Sequence, residues 1–103
     1  MEVPMDKRMQ KSDFAPYLND QFVVQTDSFG HVNIELVEIS DKKYETHEYL
    51  SLIFRGAKDT VFPQKIYRIT HHTMGEMDLF LVPIVFEKLD GQYYQVVFNY
   101  LIN

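Results

Sequence analysis

The chain has no cysteine, so it forms neither a disulfide framework nor a thiolate zinc site, and redox chemistry says nothing about its compartment. Glycine is scarce: Gly30, Gly56, Gly75 and Gly91 each stand alone at a turn, whereas a phosphate-cradling loop needs them clustered. Positive charge is in deficit. Ten Lys and Arg against fifteen Asp and Glu give a net charge of −5, which argues against nucleic-acid binding through neutralised phosphates. The short basic clusters, Lys7, Arg8 and Lys11 beside Asp6 and Lys42 and Lys43 beside Asp41, read as solvated loops. No apolar run reaches the ~20 residues of a membrane span. Residues 1–10 lack the apolar run of a secretory signal, so the expectation is a cytoplasmic protein with no membrane partner.

What is present is the composition of one globular domain. The 103 residues are too few for two independent cores. Hydrophobic residues at 46% and charged residues at 24% place the chain away from disorder. The aromatics are all Phe and Tyr, at 15%, a composition that favours strands. Residues 1–11 are polar and aperiodic and read as a flexible tail; residues 12–103 read as the single domain.

The patterning predicts one short helix and then strands. Asp13 can cap a helix carrying Pro16 in its first turn, with Phe14, Tyr17 and Leu18 on one face. Beyond it the period becomes two. Residues 21–26 form a β-rich run. Residues 31–39 put Val32, Ile34 and Leu36 on one face, then slip phase near Leu36 and Val37, the signature of a β-bulge. Residues 47–55 point Leu50, Leu52 and Phe54 inward, and residues 64–71 make Tyr67 and Ile69 a core pair. Residues 77–87 are apolar on both faces, and residues 93–100 return with Tyr94, Val96 and Phe98 alternating with Gln95, Val97 and Asn99. Asp90-Gly91 between these two runs predicts a type I′ hairpin turn, and Pro83 marks an edge or bulge. About six strands without crossover helices predict a mostly β fold, a small antiparallel meander barrel that removes its own edges. A two-sheet sandwich is the alternative.

Residues that could carry chemistry do not assemble into a motif. His31, His47, His71 and His72 show no HxH or HxxxH spacing, and His71 and His72 would point to opposite faces of a continuous strand. No metal site and no cofactor is expected. The serines fall outside any GxSxG elbow, and the acid pairs Glu35/Glu38 and Glu45/Glu48 read as solvated. No catalytic residue emerges, so the expectation is a non-enzyme. Tyrosines such as Tyr44, Tyr49, Tyr67 and Tyr94 could stack a base or a sugar, but the basic groove of a single-strand binder is missing.

Phe54-Arg55-Gly56, the segment 63–84 (PQKIYRITHHTMGEMDLFLVPI) and Tyr93 to Asn99 (YYQVVFN) form a less generic pattern. Through Phe54, Gly56, Gln64, Tyr67, His71, Gly75, the FLVPI run, Tyr94, Phe98 and Asn99 the chain resembles an uncharacterised family of small bacterial domains of unknown function. The resemblance implies occurrence beside phage tail-collar-like proteins, and it implies no catalytic residues. The chain departs from the pattern at Ala57 and Lys65. Read from the residues alone, Gln64, His71 and Asn99 are the polar exceptions: they either satisfy backbone groups or share a polar site.

The expected role is a protein-interaction or assembly module, accessory to a phage-tail-like structure, with a protein partner or itself as a homo-oligomer. The expected contact face is the far side of the 77–87 strand: with Phe80, Val82, Ile84 and Phe86 inside, Leu79, Leu81 and Val85 remain outside, extended by Val97. The alternative is a small-ligand-binding barrel with a tyrosine-lined pocket.

Overall fold

The computed structural model describes residues 9–86 and 90–101. A short helix α1 (Lys11–Phe14) runs into a 3₁₀ turn, Ala15–Tyr17. Six strands follow: β1 (Gln21–Thr26), β2 (Gly30–Lys43), β3 (His47–Gly56), β4 (Lys65–His71), β5 (Gly75–Ile84) and β6 (Gln92–Leu101). They close into one antiparallel barrel in the order β1-β2-β3-β6-β5-β4, with β4 paired back to β1. The barrel, not the sandwich, is the architecture. Its order departs from a continuous meander at one place. Two three-stranded meanders stand side by side, so β3 adjoins β6 instead of β4. Period-two alternation marks where strands run but not which strands pair, and the β3–β4 link is long enough to cross the barrel mouth.

Both ends of the barrel are closed. Where the β3–β4 link crosses one mouth, Phe62 drops into the core, stacked on Tyr94 at 4.3 Å and edge-on to Tyr67 at 5.1 Å. The Tyr94 hydroxyl donates to Thr60 O at 3.1 Å and accepts the Phe62 N–H at 3.3 Å, and Tyr67 Oη donates to Pro63 O at 2.6 Å. Burial pushes both phenol groups above their ordinary range. At the other end α1 sets Phe14 into the core against Phe98. The helix begins before Asp13. Asp13 therefore sits inside the first turn, where its carboxylate accepts the Gln10 N–H at 2.8 Å instead of starting the helix itself. Of the expected tail, residues 1–11, Met9 packs against the core, Gln10 caps the helix and Lys11 opens it, and residues 1–8 lie outside the described residues.

Alternation fills the space between. Phe22, Val24, Ile34, Leu36, Leu52, Phe54, Ile69 and Leu81 are fully buried, each stabilising by about 1.5–3 kcal/mol through apolar area removed from water. The bulge lies where the phase slip places it, between Leu36 and Glu38 opposite Phe54 and Ile53.

Two expectations are corrected. The first is the facing of β5. Leu79 and Leu81 are buried in the barrel and Phe80 is on the outside, because β5 takes its phase from β4. Tyr67 pairs with Leu79 and both point inward; Ile66 pairs with Phe80 and both point outward. Val82 and Ile84 are half-buried on the outer side and Val85 is fully exposed. The second is the hairpin turn. Ile84 pairs with Tyr93 and β6 begins at Gln92, so the connection spans residues 85–91, and Gly91 lacks the positive φ that a type I′ turn needs there. Leu89, which would complete that turn region, lies outside the described residues. Gly91 instead comes so close to β3 that a Cβ there would meet Gly56 O at 2.6 Å.

Candidate functional site

Among the described residues, three groups of polar side chains bear on possible chemistry. The first surrounds His71, whose side chain is buried where β4 ends. Its Nδ1 accepts the backbone N–H groups of Thr73 and Met74, each at 3.1 Å. A nitrogen that accepts cannot carry the proton, so the neutral ring carries it on Nε2 and donates to Asp20 Oδ2 at 2.9 Å. Tyr17 and Phe22 pack on the ring at 4.6 and 4.5 Å. The strand stops at His71, so His72 is in the turn and not on the opposite face. It stacks on His71 at 4.4 Å, and its Nε2 lies 3.7 Å from Asp20 Oδ2. Asp20, His71 and His72 thereby bring ligand-type atoms within 4.8 Å of one another. The hydrogen bonds decide against a metal role in this arrangement: a metal on Nε2 would displace the proton toward Nδ1, which already faces two N–H donors. The same occupancy removes His71 as a general base.

The second cluster is electrostatic. Arg55 on β3 bonds Glu35 of β2 through Nη2 and Asp90 Oδ2 through Nη1 at 2.8 Å. The other Asp90 oxygen accepts the Tyr93 hydroxyl, and Phe86 stacks on Tyr93 at 4.6 Å. The Tyr93 hydrogen bond and then Arg55 hold the Asp90 carboxyl below its ordinary range, while burial and Asp90 push the Tyr93 phenol up. This knot pins the β5–β6 connection to the outer wall.

The third is a hollow of about 400 Å³ on the outer wall of β2, β3 and β6. Its floor is the cross-strand pair Ser40 and Ser51, the smallest side chains on that face. Lys42, Tyr44 and Tyr49 rise on one side and Gln95 and Val97 on the other. The two tyrosine rings meet edge to face at 5.6 Å, and Gln95 Nε2 donates to Ser51 Oγ at 2.9 Å. Among the described residues no hydrogen bond holds the side chains of Ser40, Lys42, Tyr44 or Tyr49.

The expected polar trio does not meet. Gln64 is exposed just before β4, and His71 is buried at its other end, about 23 Å along an extended strand. Asn99 is exposed on β6, which β5 separates from β4. Only His71 does the backbone work foreseen for such residues. Of the expected contact residues, Leu79 and Leu81 belong to the core, Val85 is free, and Val97 lines the hollow. Sequence reasoning missed Asp20, which sits 51 residues from His71 with no local signal. It also missed the serine floor, which becomes visible only once the β2–β3 register is known.

The family model for a domain of unknown function, DUF6916, matches residues 9–98, and the chain belongs to that family. No curated protein and no solved structure matches the chain.

Proposed function

We propose that this member of the DUF6916 family is a non-enzymatic interaction module that assembles with a second copy of itself through the outer face of β4 and β5. The observation that carries this reading is the directly paired Ile66 and Phe80, which remain 63% and 48% exposed. Val82 follows Phe80 on the same side. An apolar pair on the wet face of a sheet has no role in the core, which the opposite faces of the same strands already fill, and contiguous exposed apolar surface marks contact sites. Beside it Arg68 binds Asp78 at 2.7 Å and Glu76 at 3.0 Å, so the rim is polar and carries both signs of charge, which is compatible with a self-complementary two-fold contact. The occupied ring nitrogens of His71 support a non-catalytic role. The resemblance to domains found beside tail-collar-like proteins supports a phage-tail-like assembly as the setting.

Light scattering tests it. The wild type should run at about twice the 12.3 kDa chain mass, and Phe80→Glu should run as a monomer. A monomeric wild type would remove the reading. A second role, ligand binding, is favoured by the hollow on the outer wall of β2, β3 and β6, whose lining includes Tyr44 and Tyr49.

A further inference from the structure

We infer that the outer hollow of β2, β3 and β6 is a binding site for a neutral saccharide, separate from the β4–β5 face. A sugar presents a C–H face that packs on an aromatic ring and a rim of hydroxyls that both donate and accept. The hollow offers the complement of each. Tyr44, 53% exposed, and Tyr49 make an aromatic corner. Below it the hydroxyls of Ser40 and Ser51 supply groups that donate and accept. The Gln95 amide is oriented by its bond to Ser51, which commits one of its two N–H groups and leaves the other to donate and Oε1 to accept from a ligand hydroxyl.

The alternatives fit less well. A phosphorylated or nucleic-acid ligand would find one cation, Lys42, with Asp41 next to it in a chain of net charge −5. An apolar ligand would cover the Ser40 hydroxyl and Gln95 Oε1 without pairing them. The hollow is open and shallow, suited to a sugar on a surface or a chain end, and its volume of about 400 Å³ lies within the usual range for small-molecule sites.

Amide NMR spectra of the isotope-labelled wild type, titrated to millimolar concentration with maltohexaose, cellohexaose and tetra-N-acetylchitotetraose, test the assignment. At least one of these should shift the amides of Ser40, Tyr44, Tyr49, Ser51 and Gln95. Tyr44→Ala and Tyr49→Ala should each weaken that binding about tenfold, equivalent to ~1.4 kcal/mol, while Phe80→Glu leaves it unchanged. Tyr44 is largely exposed beyond the end of β2, so its variant keeps the fold even if the Tyr49 variant does not. The assignment is overturned if none of the three sugars moves these amides, if the shifts map elsewhere, or if Tyr44→Ala binds as the wild type does.

Discussion

At Gly91 a methyl group is enough to disturb the fold. A Cβ would stand 2.6 Å from Gly56 O and 2.8 Å from Arg55 Cγ, and the backbone oxygen cannot yield as a flexible side chain would. Gly91→Ala should destabilise by about 1–3 kcal/mol, as overpacking does, seen as a lower denaturation midpoint with an unchanged m-value; an unshifted midpoint would show that the close approach is not required. The requirement was legible in the sequence as a glycine, but its cause was not. An Asp-Gly pair between two β-rich runs signals a tight turn, whereas this glycine serves contact with a distant strand. His71 presents the same mixture. Its role on backbone donors at a strand end follows from its position before the His72-Thr73-Met74 turn, while Asp20 could be found only in three dimensions. His71→Ala orphans two part-buried N–H groups and empties a core position. It should cost about 2–4 kcal/mol, and added zinc should leave the wild-type melting temperature unchanged. A zinc-induced rise would show that the ring can release its Nε2 proton to a metal.

Among the elements, β4 and β5 are the least firmly joined to the rest. Three residue pairs hold β5 to β6 and two hold β4 to β1, against ten between β3 and β6. The β5–β6 connection compensates for the short seam by its anchor at Asp90, which ties Tyr93 and Arg55 together. That anchor has a pH signature. The Asp90 carboxyl is held below its ordinary 3.8, first by the Tyr93 hydroxyl and then by Arg55, so its contribution is complete above that value and is lost as pH falls through the lowered one. Asp90→Asn should therefore melt earlier than the wild type at neutral pH, and the gap should close in acid below the ordinary carboxylate value. A gap independent of pH would mean that the carboxylate charge is not what holds the connection. Strand positions and the Leu36 bulge were readable because alternation and its slip are local. Strand order was not, since closing β3 onto β6 depends on where the β3–β4 link lands after crossing the mouth.

For the whole molecule, the question is which face of β5 meets solvent, and the expectation of Phe80 inside and Leu79 and Leu81 outside was the wrong one because residues 79–86, apolar at nearly every position, carry no alternation of their own. The phase was nonetheless reachable. Tyr67 and Ile69 are inward on β4, and the short link closing at Gly75, with φ of +84°, sets Tyr67 opposite Leu79. Propagating the facing across that hairpin places Leu79 and Leu81 inside and Phe80 outside. Two neighbouring substitutions should then behave in opposite ways. Leu81→Glu buries an unpaired carboxylate in a fully enclosed site and should cost about 4 kcal/mol or more, a large share of a small domain's stability. Phe80→Glu adds a charge on the wet face, should cost the isolated chain less than about 1 kcal/mol, and should abolish self-association. A dimer that dissociates on unfolding melts at a temperature that rises with protein concentration, because mass action favours the associated state. The wild type should show that rise, and Phe80→Glu should melt at one temperature across the same dilution series. A wild type whose melting temperature ignores concentration, or a Phe80→Glu chain as unstable as Leu81→Glu, would place Phe80 in the core's service and leave the outer face of β4 and β5 without a partner.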